Sequence, residues 1–184
     1  EQLIEQVNLN LNMYLRNMLR ISNTMYYSVI KRADLSKGTL DKEMNLLYEA
    51  NRDNLVSIAC FRENGRLVAA APLDNLKRGL NVSEQDWFVE ANREIENLHF
   101  STPHVQNLFH DSSFNYHWVI SLSRVVELTS NGHISRGILL VDMNFSGIEQ
   151  LFTQVNSSNS GYVYLIDGNG EIIYHPKQSL LISK

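Results

Sequence analysis

A single cysteine, Cys60, occurs in the 184 residues of this chain. An internal disulfide is therefore excluded, and with it the stapled scaffold of many small secreted domains. Cys60 lies inside an apolar run and reads as a small buried hydrophobe, which leaves a reducing compartment and a bacterial exterior both open. Basic clusters are also missing. The formal net charge of −4 gives no general attraction for nucleic acid or anionic lipid. No apolar run reaches the roughly 18 to 20 residues of a membrane span, and the N-terminus lacks the basic-then-apolar pattern of a secretory signal. Enzyme signatures are scarce too. The six histidines, His99, His104, His110, His117, His133 and His175, show no HExxH or paired-ligand spacing, so no metal site is expected. A triad of Ser121, His117 and Asp142 can be drawn, but no nucleophile-elbow glycine frame surrounds Ser121 or Ser123. There is no phosphate-binding glycine loop and no close carboxylate pair, and no cofactor is implied.

What the chain does contain is a core's worth of apolar residues, 43% of the total, and an internal echo. FRENGRLVAA at Phe61–Ala70 returns as IDGNGEIIYH at Ile166–His175, with Gly65 and Gly170 in register at an offset of 105 residues (170 less 65). Each copy is an apolar run, a polar tip ending in Asn-Gly, and a second apolar run. Asn and Gly tolerate the positive φ angles of a tight strand reversal, so each copy predicts a hairpin. The offset is too long for a solenoid unit and suits two tandem small α+β modules. Only 14 residues (184 less 170) follow Gly170, too few for a second core, so the chain reads as part of a longer protein.

The period of the apolar residues organises the rest. Ile4, Val7, Leu11, Tyr14, Met18, Ile21 and Met25 alternate spacings of three and four, widened by Leu3, Leu15, Leu19, Tyr26 and Val29. That is a heptad seam on one long helix, with no proline or glycine between Glu1 and Ala33. The seam either packs on the domain's own sheet or meets a second chain. Thr39 is expected to cap a second helix to about Arg52, with Leu40, Met44, Leu47 and Tyr48 on one face. Leu55–Phe61 and Arg66–Ala71 form the first hairpin, closed by Pro72. A third helix is expected from Ser83, with Trp87, Ala91 and Ile95 on its face. Leu98–Phe109 reads as a short extended segment broken by Pro103. Tyr116–Leu128 and Ile134–Phe145 are long strands joined at Ser130-Asn131-Gly132. Ser146 and Glu149 fit a capping box for a short helix to about Gln154, followed by an Asn/Ser linker at Asn156–Ser160. The simplest assembly is α+β: a five-stranded antiparallel sheet of PAS-like topology beside a long N-terminal helix.

In this order the elements resemble the extracytoplasmic double Cache sensors of bacterial membrane receptors, especially two-component sensor histidine kinases. The resemblance rests on the long first helix, Asp86-Trp87-Phe88-Val89-Glu90-Ala91, Leu139-Leu140-Val141-Asp142-Met143-Asn144-Phe145, and Gly161-Tyr162-Val163-Tyr164-Leu165-Ile166-Asp167 with His175-Pro176. It covers nearly the whole chain. It implies a helix over 1–35 that carries signal and dimer contacts, a membrane-distal Cache module over 36–154, and the start of a membrane-proximal module over 155–184. It also implies a non-catalytic, extracellular ligand sensor anchored in the membrane as part of a homodimer. A chemoreceptor sensor, or a dimerisation module with a vestigial pocket, is the alternative.

Amino-acid-binding members of that family carry an arginine two residues before the Trp, an aromatic after it, a later tyrosine and a strand aspartate. Trp87, Phe88, Ala91 and Asp142 match and Tyr116 can serve as the tyrosine, but Gln85 replaces the arginine and removes the bidentate grip on a carboxylate. Asp142 interrupts an apolar strand and shares a face with Ile138 and Leu140, so it needs hydrogen-bonding partners from a ligand or from its neighbours. His117, Ser121 and Ser123 share one face of their strand, opposite Tyr116 and Trp118. The candidate ligand-binding residues are therefore Trp87, Phe88, Tyr116, His117, Ser121 and Asp142, around a small molecule of unspecified identity.

Overall fold

The computed structural model describes residues 2–73, 76–96, 98–110, 118–158, 165–166 and 172–174. Helix α1 (Gln2–Asn23) runs on through a π-helical turn at Thr24–Val29 and a 3-10 turn at Ile30–Arg32. The predicted helical run is thus present, with its last turns first widened and then tightened. Val7, Leu11, Met18, Ile21 and Met25 of the heptad seam are buried in the chain's own core, whereas Ile4 is exposed. The chain's own core, built from the sheet and later helices, therefore takes up these five seam residues. Among the α1 side chains the structure describes, the large apolar ones left exposed are Ile4, Leu9 and Met13.

Helix α2 (Asp41–Asn51) buries Met44 and follows the buried Leu40, which is itself the N-cap residue and makes no side-chain cap bond. Thr39 is therefore not the cap, contrary to expectation. Together α1 and α2 cover one face of an antiparallel sheet. Strands β1 (Leu55–Arg62), β2 (Leu67–Ala71), β3 (His99–Phe100), β4 (His104–Val105), β5 (Trp118–Ser130) and β6 (His133–Asn144) pair in the order β2-β1-β6-β5-β3, with β4 also on β5. The expected fifth strand is split in two around Pro103, which has no N–H for a ladder. The β5–β6 pair closes at Ser130↔His133, with Asn131 (φ 49°) and Gly132 (φ 77°) both in the left-handed region demanded by a two-residue hairpin loop.

Period-two alternation then gives the sheet two dissimilar faces. Ile58, Cys60, Ile120, Leu122, Leu139, Val141 and Met143 point to the α1/α2 side. Burial in that apolar layer pushes the Cys60 thiol up to about 12, so it is inert at neutral pH. Ala59, Phe61, Ala70, Ile138 and Leu140 face the other way, under Val82, Phe88, Ala91, Leu108 and Phe109. Helix α3 (Asp86–Arg93) supplies Phe88 and Ala91 to this second layer. It is preceded by a 3-10 turn at Val82–Glu84 rather than starting at Ser83. Ile95, expected on its buried face, lies past its end and is exposed.

Helix α4 (Ser146–Ser158) takes in part of the segment that composition marked as linker. Ser146 is already helical, and its N–H donates to Asn144 Oδ1 at 3.0 Å, so the predicted capping box is replaced by an Asn acceptor. Farther on, β7 (Leu165–Ile166) pairs with β8 (Ile172–Tyr174). Its pairs Leu165↔Tyr174 and Ile166↔Ile172 repeat Cys60↔Ala69 and Phe61↔Leu67 of the first hairpin, each residue displaced by 105. Both hairpins carry their register irregularity between those same two pairs. The tip residues Asn169 and Gly170 lie outside the described residues.

Candidate binding site

Three strands bring a row of polar side chains together on the α3 face. Ser57 of β1 and Ser121 of β5 are the register partners of Asp142 on β6, one on each side. All three are buried, with Asp142 only 2% exposed. The Ser121 hydroxyl donates to Asp142 Oδ1, while the Ser57 hydroxyl reaches Oδ2 at 3.5 Å. Burial pushes the Asp142 carboxyl above the usual carboxylate range, opposed by the Ser121 hydrogen bond, the nearby His104 and the Ser57 hydroxyl.

The β3–β4 segment extends the network outward. The Ser121 N–H donates to Ser101 Oγ at 2.9 Å, and the Ser101 N–H donates back to the Ser121 carbonyl at 2.8 Å. His104 Nε2 lies 3.2 Å from Ser121 Oγ, and His104 Nδ1 lies 2.9 Å from the Thr102 carbonyl. A carbonyl only accepts, so the Thr102 contact assigns a proton to Nδ1 and leaves Nε2 facing the Ser121 hydroxyl. Ser121 thus stands between imidazole and carboxylate. In a hydrolytic triad the imidazole takes that middle place and activates the hydroxyl. Here the hydroxyl is committed to the carboxylate and is 1% exposed, so the arrangement suits recognition of charge rather than nucleophilic attack.

Helix α3 roofs the same face. The Ser123 hydroxyl donates to the Trp87 carbonyl at 3.1 Å, which fixes the helix over β5. Phe88 is buried, whereas Trp87 is half-buried, its ring 5.5 Å from that of Phe61 and 5.8 Å from that of Phe88. Gln85 Oε1 accepts from Asn107 Nδ2 at 2.7 Å, so this amide ties the helix start to the loop after β4.

Of the predicted site residues, Trp87, Phe88, Ser121 and Asp142 therefore share one face, and Tyr116 and His117 lie outside the described residues. Sequence reasoning missed Ser57, Ser101 and His104. Ser57 was detectable as the polar member of Ser57-Ala59-Phe61 on one face of an apolar strand. His104 was not, because residues beside Pro103 follow no period. A cavity of about 790 Å³ lies elsewhere, between α1 and α4, lined by Tyr14, Arg16, Arg20, Ile148 and Leu151 among others. Its arginines are exposed, and it holds no buried charge comparable to Asp142. Among the described residues no group of three or more His, Cys, Asp or Glu converges on a metal-sized point, and no helix is long and apolar enough to cross a membrane.

This sheet, with its long helix on one face and its roofed polar row on the other, has the architecture of a sensor domain. The chain belongs to the Cache domain family, whose model matches residues 1–183. Similar solved structures include the ligand-binding domain of the Pseudomonas aeruginosa amino acid chemoreceptor PctC in complex with GABA. It is 16% identical with a TM-score of 0.66, over 98% of this chain and 75% of that one. The corresponding domain of P. aeruginosa PctB in complex with L-Gln is 15% identical with a TM-score of 0.66, over 97% and 67% of the two chains. That of Pseudomonas fluorescens CtaA in complex with L-serine is 16% identical with a TM-score of 0.62, over 98% and 72%. No curated protein sequence matches the chain.

Proposed function

We propose that this chain is the extracellular sensing region of a membrane-anchored bacterial receptor, and that it binds a small molecule over the Ser57–Asp142–Ser121 row beneath Trp87 and Phe88. The observation that carries the proposal is Asp142, a buried carboxylate whose described partners are two hydroxyls and, through one of them, an imidazole. Such a group is costly to keep in a core and is found where a ligand or a proton uses it. The sensing module spans 36–154, α1 within 1–35 carries its state toward the membrane, and 155–184 begins a second module, a division supported by the repeated hairpin register. A ligand shifts the receptor by its differential affinity for two arrangements of the sheet and α1. The output is a histidine kinase or a chemotaxis signalling domain. The named similar structures are chemoreceptor domains, some with amino acids bound, and they favour the second output.

A thermal-shift screen of small molecules tests this. A saturable rise in melting temperature that Asp142→Ala abolishes is the expected result. A second function, helix-mediated homodimerisation with an inactive pocket, is favoured by Leu9 and Met13, both 61% exposed one helical turn apart on α1. It predicts concentration-dependent melting with no ligand response.

A further inference from the structure

The cavity of about 790 Å³ between α1 and α4 lies on the α1 side of the sheet, across the strands from Asp142, and shares no lining residue with the polar row. Its wall is built to receive negative charge. Arg16 and Arg20 stand one turn apart on the same face of α1, where like charges repel one another, and among the described residues neither takes part in an ion pair. Two amides of the lining add donors. Asn17 and Asn144 each spend the side-chain oxygen within the protein, on the Arg20 guanidinium and on the Ser146 N–H, so the NH2 group of each remains to be satisfied. The start of α4 adds two more. There the Ser146 N–H is bonded to Asn144 and the Glu149 N–H to the Phe145 carbonyl, which leaves the N–H groups of Gly147 and Ile148 at the cavity wall. The rest of the wall is apolar: Tyr14, Ile148 and Leu151 pack into the α1-side core, and Met13 stands 61% exposed beside them.

We propose that this cavity is a second binding site, for an organic monocarboxylate that sets its charge against Arg16 and Arg20 and lays its apolar body on Ile148 and Leu151. The inference does not depend on sensing at the polar row. Two guanidinium groups are matched to a carboxylate in shape and in donor number, and a carboxylate between them relieves their mutual repulsion. Asp53 fixes the charge of the ligand. With Asp53 in the lining the formal charge of the wall is two positive and one negative, so one negative charge neutralises it and a second, as on a phosphate monoester, is in excess. A cation meets the two arginines with repulsion. A neutral ligand gains the apolar surface alone. The volume lies within the range of small-molecule pockets, which combine apolar walls with a few placed polar groups in the same way.

Titration of this chain, labelled with nitrogen-15, followed by its amide NMR spectrum, tests the assignment. The probes are sodium hexanoate, sodium benzoate, sodium acetate, hexanamide and phenyl phosphate, at low salt because exposed charges are easily screened. Hexanoate and benzoate are expected to bind saturably and to move the Gly147 and Ile148 amide signals while leaving that of Ser121 in place. Hexanoate should bind at least about 10-fold more tightly than acetate, which lacks the apolar body, and about 10-fold more tightly than hexanamide, which lacks the charge. Arg16→Gln and Arg20→Gln are each expected to weaken hexanoate roughly 10-fold. Lys37→Gln removes the same charge from an exposed residue outside the cavity and is expected to leave the affinity unchanged. Both arginines are exposed, and circular dichroism checks that the three variants fold alike. Any one of the following overturns the proposal: no saturable binding of hexanoate or benzoate, hexanamide binding as tightly as hexanoate, acetate binding as tightly as hexanoate, phenyl phosphate binding more tightly than benzoate, arginine variants that behave like Lys37→Gln, or signal changes at Ser121 in place of Gly147 and Ile148. The sensing function is judged apart from this, by the thermal screen and its dependence on Asp142, so either site can fail while the other stands.

Discussion

The Tyr14 hydroxyl of α1 donates to the Met143 carbonyl of β6 at 2.9 Å, one residue along from Asp142 and on the opposite face of the sheet. The Ile120 backbone lies against the same hydroxyl, and burial pushes its ionisation far above the ordinary tyrosine value. One side chain of the long helix is therefore fastened to both central strands at the pair Ile120↔Met143, next to the pair Ser121↔Asp142. Tyr14→Phe keeps the ring and removes the bond, leaving a carbonyl short of a donor. The expected cost is about 1–2 kcal/mol in urea-unfolding free energy, with the far-ultraviolet dichroism of the folded state unchanged. An unfolding midpoint identical to that of the parent chain would show that the hydroxyl does not fasten the helix to the sheet.

Gly137 sets how closely the central strands pack at the far end of the same face. A Cβ built there would lie 2.7 Å from the Phe61 carbonyl oxygen and 2.7 Å from Leu128 Cδ1. The Leu128 methyl can turn aside, but a backbone oxygen in the β1–β6 ladder moves only with its strand. Gly137→Ala is therefore expected to destabilise the domain by about 1–3 kcal/mol, read as a lowered melting temperature. The gain in intrinsic strand preference over glycine is smaller than this overpacking cost.

The long-range order of the fold was legible because it rests on strong periodic signals. The seam from Val7 to Met25, the paired long strands and the two Asn-Gly hairpins each belong to a pattern that repeats over many residues. The 105-residue echo carried even the hairpin register, since Ile166↔Ile172 copies Phe61↔Leu67. Periodicity does not say what covers a face. The heptad spacing alone fits a partner chain and the chain's own core equally, and the burial of Met18, Ile21 and Met25 is what places those residues in the core. The caps were less legible: Leu40, not Thr39, precedes α2, and Asn144 serves the first turn of α4, because tertiary position overrides a local capping preference. At the site, Asp142 and Ser121 stood out as polar breaks in apolar strands. His104 did not, because it reaches Ser121 from an irregular segment beside Pro103, where side-chain direction follows no repeat.

Asp142 also makes a stability prediction whose sign is fixed by the direction of its shift. Its folded carboxyl is held above the unfolded value, chiefly by burial. Between the unfolded value near 4 and the raised folded value, the folded chain therefore binds more protons than the unfolded one. Stability from this group is present at or below the unfolded value and declines as pH rises through the folded value. The amide introduced by Asp142→Asn does not ionise, so that variant does not share the decline. Its unfolding free energy minus that of the parent chain should therefore rise steadily as pH is raised from about 4 toward neutrality, whatever the offset from the altered hydrogen bonds. Urea unfolding of both proteins at several pH values reads this difference directly. A flat difference would mean that Asp142 titrates alike in the folded and unfolded chains. A falling one would mean that its partners outweigh its burial and hold it as a carboxylate.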